Sequence, residues 1–186
     1  TETTGAVGAT ERVIEIGATK VRNGEITDTF HTMLNPERFI PHNVMQIHNI
    51  TDSMVVAAPL FKEIADDFLE FMGSDGIFAA HNADFDRDFL NHELKRIGYA
   101  PLWHQSLCTI KLAKKVYPDL KRYGLSSLCE SFGILRPSKH RALDDSLATA
   151  KILIKMFKEL ERAGIFTLKD INLRSLPVMS PTLSLF

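Results

Sequence analysis

The sequence predicts an α/β fold, a mixed β-sheet flanked by α-helices, and three observations carry that reading. A strand pair turns about Asn23-Gly24 near the start. Short apolar strand segments then interleave with amphipathic helical segments. Glycines and prolines fall where those segments end. At 186 residues the chain suits one domain with a full hydrophobic core.

The elements follow in order. The chain opens on the tail of a strand and a turn. Arg12 to Val21 reads as a strand, and Glu25 to Leu34 returns as its partner, since Asn23 and Gly24 both tolerate positive φ. Asn35 to Pro41 is a loop, His42 to Ile47 a short helix, and His48-Asn49-Ile50-Thr51 a turn. Pro59 to Met72 has helical periodicity through Leu60, Ile64, Phe68, Phe71 and Met72, with Pro59 in the first turn. Ile77 to Ala80 is a buried strand, and Asp84 to Ile97 a helix ended by Gly98. A strand near Ser106 to Thr109 leads into a helix that Pro118 stops after Tyr117. Leu125 to Phe132 and Leu143 to Ala163 are helices, stopped by Gly133 and Gly164. Residues 1–172 form the predicted domain and 173–186 a Ser/Pro-rich peripheral tail.

Composition excludes several classes. The apolar share of 45% describes a globular chain. A formal net charge of −1 argues against tight nonspecific binding of nucleic acid through phosphate neutralisation, although it leaves room for an enzyme that grips only a strand end. Cys108 and Cys129 have neither disulfide-framework nor zinc spacing, and as buried free thiols they fit a reducing cytoplasm. No apolar run is long enough to span a bilayer.

Three acids, far apart in the chain, each sit in a distinctive local word. Glu2 lies in Thr1-Glu2-Thr3-Thr4-Gly5, Asp86 in His81-Asn82-Ala83-Asp84-Phe85-Asp86, and Asp145 in His140-Arg141-Ala142-Leu143-Asp144-Asp145. Like charges repel, so a fold gathers such acids only for a reason, and a hard divalent cation supplies one. Taken singly, each acid has an ordinary explanation: Glu2 as an exposed turn residue, Asp86 as a first-turn helix acid. Asp144 is either a helix-capping acid or a second contender for the role of Asp145. His140 stands ahead of the long helix, and its imidazole is suited to take a proton near neutrality.

Together the three words resemble those of the DEDDh 3′–5′ exonucleases, the DnaQ-like family that includes the proofreading epsilon subunit of bacterial DNA polymerase III. The family pattern runs D-x-E-T-T-G, H-N-A-x-F-D, H-x-A-x-x-D, and the resemblance extends through Val13-Ile14-Glu15-Ile16-Gly17-Ala18 and the His48-to-Thr51 turn. It implies a ribonuclease H-like sheet and a metal-dependent exonuclease that removes nucleoside 5′-monophosphates from DNA 3′ ends. The alternatives are a ribonuclease of the same superfamily and an inactive nucleic-acid-binding module. By the same resemblance, two Mg²⁺ or Mn²⁺ ions are held by Glu2 and Asp145, with Asp86 contributing directly or through water, and His140 is the general base. Thr3, Thr4, Gly5, His48, Asn82 and Phe85 match positions that contact the terminal nucleotide or shape its pocket. The family's leading aspartate falls one position before Thr1, so that ligand and the first strand are expected upstream. The implied partners are single-stranded or frayed DNA ends and a DNA polymerase subunit. Thr182-Leu183-Ser184-Leu185-Phe186 resembles the pentapeptide that docks on the bacterial sliding clamp, with Thr182 in place of glutamine.

Overall fold

Asn23 and Gly24 take positive φ and turn the chain between two long antiparallel strands. In the computed structural model, which describes residues 1–173, these are β2 (Val13–Arg22) and β3 (Glu25–Met33), with β1 (Glu2–Thr3) on the far side of β2. A second, parallel pair joins β4 (Ile77–Ala80) to β5 (Gln105–Cys108). The expected mixed sheet is thus present as an antiparallel piece and a parallel piece.

The helices among the described residues are α1 (His42–His48), α2 (Asp52–Val55), α3 (Phe61–Met72), α4 (Ala83–Arg96), α5 (Thr109–Val116), α6 (Leu125–Phe132), α7 (Ala142–Arg162) and α8 (Leu168–Leu173). Most lie within two residues of their predicted bounds. The single turn α2 and the short α8 have too few residues to show a period and were not expected. Ile171 of α8 is buried with side chains of α5, α6 and α7, while Thr182–Phe186 lies outside the described residues.

Two main apolar clusters hold the layers. Val13, Ile16 and Leu34 pack with Phe61, Ala65 and Phe68 of α3 and Phe89, Leu90 and Leu94 of α4. Leu112 and Val116, Leu128 and Phe132, and Ile152, Met156 and Leu160 form the second, between α5, α6 and α7.

The contact that positions the site is between β2 and the start of α7. Residues 15, 17 and 19 share one face of β2 because strand side chains alternate. A Cβ on Gly17 would stand 2.2 Å from the carbonyl carbon of Ala142 and the nitrogen of Leu143, so only glycine allows this approach. Thr19 meets Ser146 through their hydroxyls at 2.7 Å.

Candidate active site

Three predicted residues converge. One ligand atom each of Glu2, His140 and Asp145 lies within 4.8 Å of the other two. Glu2 comes from the edge strand, Asp145 from the first turn of α7, and His140 from the loop leading into it. Asp86, in the first turn of α4, is outside that group, and its Oδ1 accepts from the Thr1 hydroxyl at 2.9 Å.

The charges are poorly compensated. Burial, followed by the nearby carboxylates of Asp145, Glu15 and Asp86, pushes the Glu2 carboxyl up to about 7. Burial also raises Asp145, although Arg136 opposes it. The Arg136 Nε donates to Asp145 Oδ1 at 2.5 Å, its second nitrogen pairs with the same oxygen, and a third donates to Ser126. Two partly buried carboxylates with an excess of negative charge and an imidazole alongside form a donor set that fits a hard divalent cation.

The remaining predicted residues divide by orientation. Thr4 is fully buried. Its hydroxyl donates to Glu11 at 2.6 Å and accepts from the Arg12 N–H at 3.0 Å, so it braces the turn from inside. The Thr3 hydroxyl donates to the Gly5 carbonyl at 2.6 Å, and Gly5 packs close to the Glu11 side chain. His48 is buried. Its Nδ1 accepts from the Ile50 N–H at 2.9 Å, its Nε2 has no partner, and burial lowers its pKa. Asn82 enters α4 in the left-handed conformation, φ 74°, with its side chain exposed. Phe85 packs on Phe89, ring centres 4.8 Å apart.

Two residues not assigned from sequence belong to this neighbourhood. Arg136 is the counter-charge of Asp145, and its only sequence signal is a position four residues ahead of His140 in a basic loop. His81 was quoted but given no role. Its Nδ1 meets the Thr109 hydroxyl at 2.9 Å, its Nε2 is buried without a partner, and burial drops its pKa to about 4.

Comparison with known proteins agrees with this geometry. The exonuclease family model RNase_T matches residues 1–153. A DNA polymerase III of PolC type from Caldanaerobacter subterraneus subsp. tengcongensis is 40% identical over 171 residues, covering 92% of this chain and 12% of that protein's length. Exonuclease X in complex with 5′ overhanging duplex DNA superposes with a TM-score of 0.72 at 28% identity, over 92% of this chain and 93% of its own. The nuclease domain of 3′hExo, a DEDDh family member bound to rAMP, shares the fold with a TM-score of 0.70 at 20% identity, over 80% and 82% of the two chains. The chain therefore belongs to the exonuclease family, with the ribonuclease H-like fold of its DEDDh members.

Proposed function

We propose that this chain is a 3′–5′ exonuclease acting on DNA 3′ ends, in proofreading, repair or end-trimming. The observation that carries the reading is the convergence of Glu2, Asp145 and His140 from three separate segments. Its kinship with the PolC-type polymerase supports DNA as the substrate and a polymerase as the partner. The free, buried Cys108 and Cys129 support a cytoplasmic setting.

Glu2 and Asp145 would hold Mg²⁺ or Mn²⁺, two ions in our reading, with Asp86 nearby. Such ions supply Lewis-acid polarisation of the phosphate and charge neutralisation at the leaving oxygen. His140 takes the proton of the attacking water. The water oxygen bonds to phosphorus, the bond to the 3′ oxygen breaks, and a nucleoside 5′-monophosphate leaves. The turn of Thr3, Thr4 and Gly5, with His48, Asn82 and Phe85, is proposed to seat the terminal nucleotide. Thr182–Phe186 is proposed to dock on a sliding clamp.

The test uses the full-length protein on 5′-labelled single-stranded DNA and a matched RNA, with Mg²⁺ or with chelator. Stepwise shortening from the 3′ end, confined to the metal-containing reactions and stronger on DNA, is the expected result. Undegraded DNA in Mg²⁺ and in Mn²⁺ would defeat the reading.

A further inference from the structure

We propose that Glu15 is a positioning residue for this reaction: from within the sheet it clamps the two residues after His140 and so fixes where the imidazole stands. The proposal rests on the nuclease reading above. Glu15 is no part of the metal-binding group, and its side chain is 0% exposed. An acid inside the apolar run Val13–Ile16 needs partners, and apart from His31 on β3 those it finds are Arg141 and Ala142, directly after His140.

Glu15 Oε1 accepts from two nitrogens of Arg141, at 3.1 and 2.9 Å. Oε2 accepts from the Ala142 N–H at 2.9 Å. His31, on β3, meets Oε1 at 2.8 Å. The Ala142 N–H is one of the unpaired donors at the start of α7, and Arg141, at the cap position, makes no side-chain cap of its own. A strand residue 127 positions away does that work.

The residue held in place by this clamp is in an unfavourable conformation. His140 has φ 56°, in the left-handed region that non-glycine residues seldom occupy. Such a conformation persists only where the surroundings over-determine it. Behind His140, Arg141 and Ala142 are pinned by Glu15, and Gly17 brings β2 into backbone contact with Ala142 and Leu143. The loop has no slack on that side. Without Glu15, His140 could relax to an ordinary conformation and leave the Glu2–Asp145 pair.

A merely structural Glu15 would support the whole fold, whereas a positioning Glu15 acts through His140. A double-mutant cycle in the full-length protein separates the two. Glu15→Gln is expected to lower kcat about 10–100-fold, the range usual for residues that orient functional groups, with KM for DNA unchanged. In a His140→Ala background the same change is expected to cost no more than about twofold. Mn²⁺ affinity, read by calorimetry, is expected to stay near wild type. Arg141→Ala removes the half-exposed arm of the clamp and should shift kcat in the same direction by less, so it decides the question if Glu15→Gln does not fold. Unchanged kcat in the variant that folds, an equal loss with and without His140, or loss of Mn²⁺ binding would each overturn the proposal. An inactive wild type would defeat the nuclease reading itself, and the proposal with it. An active wild type with an indifferent Glu15 defeats the proposal alone.

Discussion

Glu2 and Glu15 face each other across β1 and β2 as register partners, yet the protein treats them oppositely. Burial would raise Glu15, but bonds from Arg141, the Ala142 N–H and His31 hold it below the ordinary carboxylate value. The Glu2 carboxylate accepts no hydrogen bond among the described residues and sits near 7. Burial alone does not distinguish the two acids. What separates them is whether the protein supplies the counter-charge or leaves it to a ligand.

The comparison breaks most visibly at Glu2. Glu2→Gln, like Asp145→Asn, is expected to cost more than about 10⁴-fold in kcat, beyond the range of a lost general base. Stability should move the other way. The folded pKa of Glu2 lies above its ordinary value of 4.5, so its ionised form costs stability, fully above pH 7 and not at all below 4.5. In chelator at pH 8, Glu2→Gln should therefore raise Tm by about 2–4 °C, and added Mn²⁺ should no longer raise it further. Glu15→Gln should lower Tm under the same conditions. Calorimetry that found both variants less stable than wild type would erase the distinction.

His140→Ala comes next. Losing a general base should reduce kcat about 10²–10⁴-fold while the Mg²⁺ concentration needed for half-maximal rate stays the same. A large change in that concentration would make His140 a ligand instead of a base.

Arg136 sharpens the contrast because it partly pairs Asp145 from within the protein. A resident cation beside a cation site repels the incoming ion. Arg136→Gln is therefore expected to lower the half-saturating Mg²⁺ about tenfold (~1.4 kcal/mol) in initial-rate titrations. A rise would show that Arg136 orients Asp145 more than it competes for it.

Much of this was legible in the sequence because it is local. The β2–β3 hairpin follows from Asn23-Gly24, and α3 and α7 follow from apolar residues at helical spacing. Glu2, Asp86, His140 and Asp145 could be named as candidates because each sits in a short word, and three of them, Glu2, His140 and Asp145, converge. What was hidden depends on distance in sequence or on rotamer. Nothing near Glu15 names Arg141 as its partner 126 positions on, and only the Gly17 contact shows how close α7 comes. Thr4 reads as a site residue from its word, but its hydroxyl points inward to Glu11.

His81 extends the contrast to a base, and it gives the smallest and most specific effect. It is half-buried, its Nε2 is shut off from solvent without a hydrogen bond, and burial drops its pKa to about 4, below its ordinary 6.5. The unfolded chain then takes the proton first, so the stability due to neutral His81 is whole above about pH 6.5 and is lost as pH falls towards 4. Over nearly the same window, protonation of Glu2 adds stability in the absence of metal. The two slopes oppose each other, and the Tm of the metal-free wild type should change little between pH 7 and pH 4.5 on their account. His81→Gln keeps a partner for Thr109 and removes one slope. Its Tm in chelator should rise relative to wild type as the pH falls through this range, and Glu2→Gln should show the reverse. If calorimetric Tm curves for wild type and His81→Gln run parallel from pH 7 to 4.5, His81 is not held neutral by burial. The contrast between paired and unpaired groups would then apply to the acids alone.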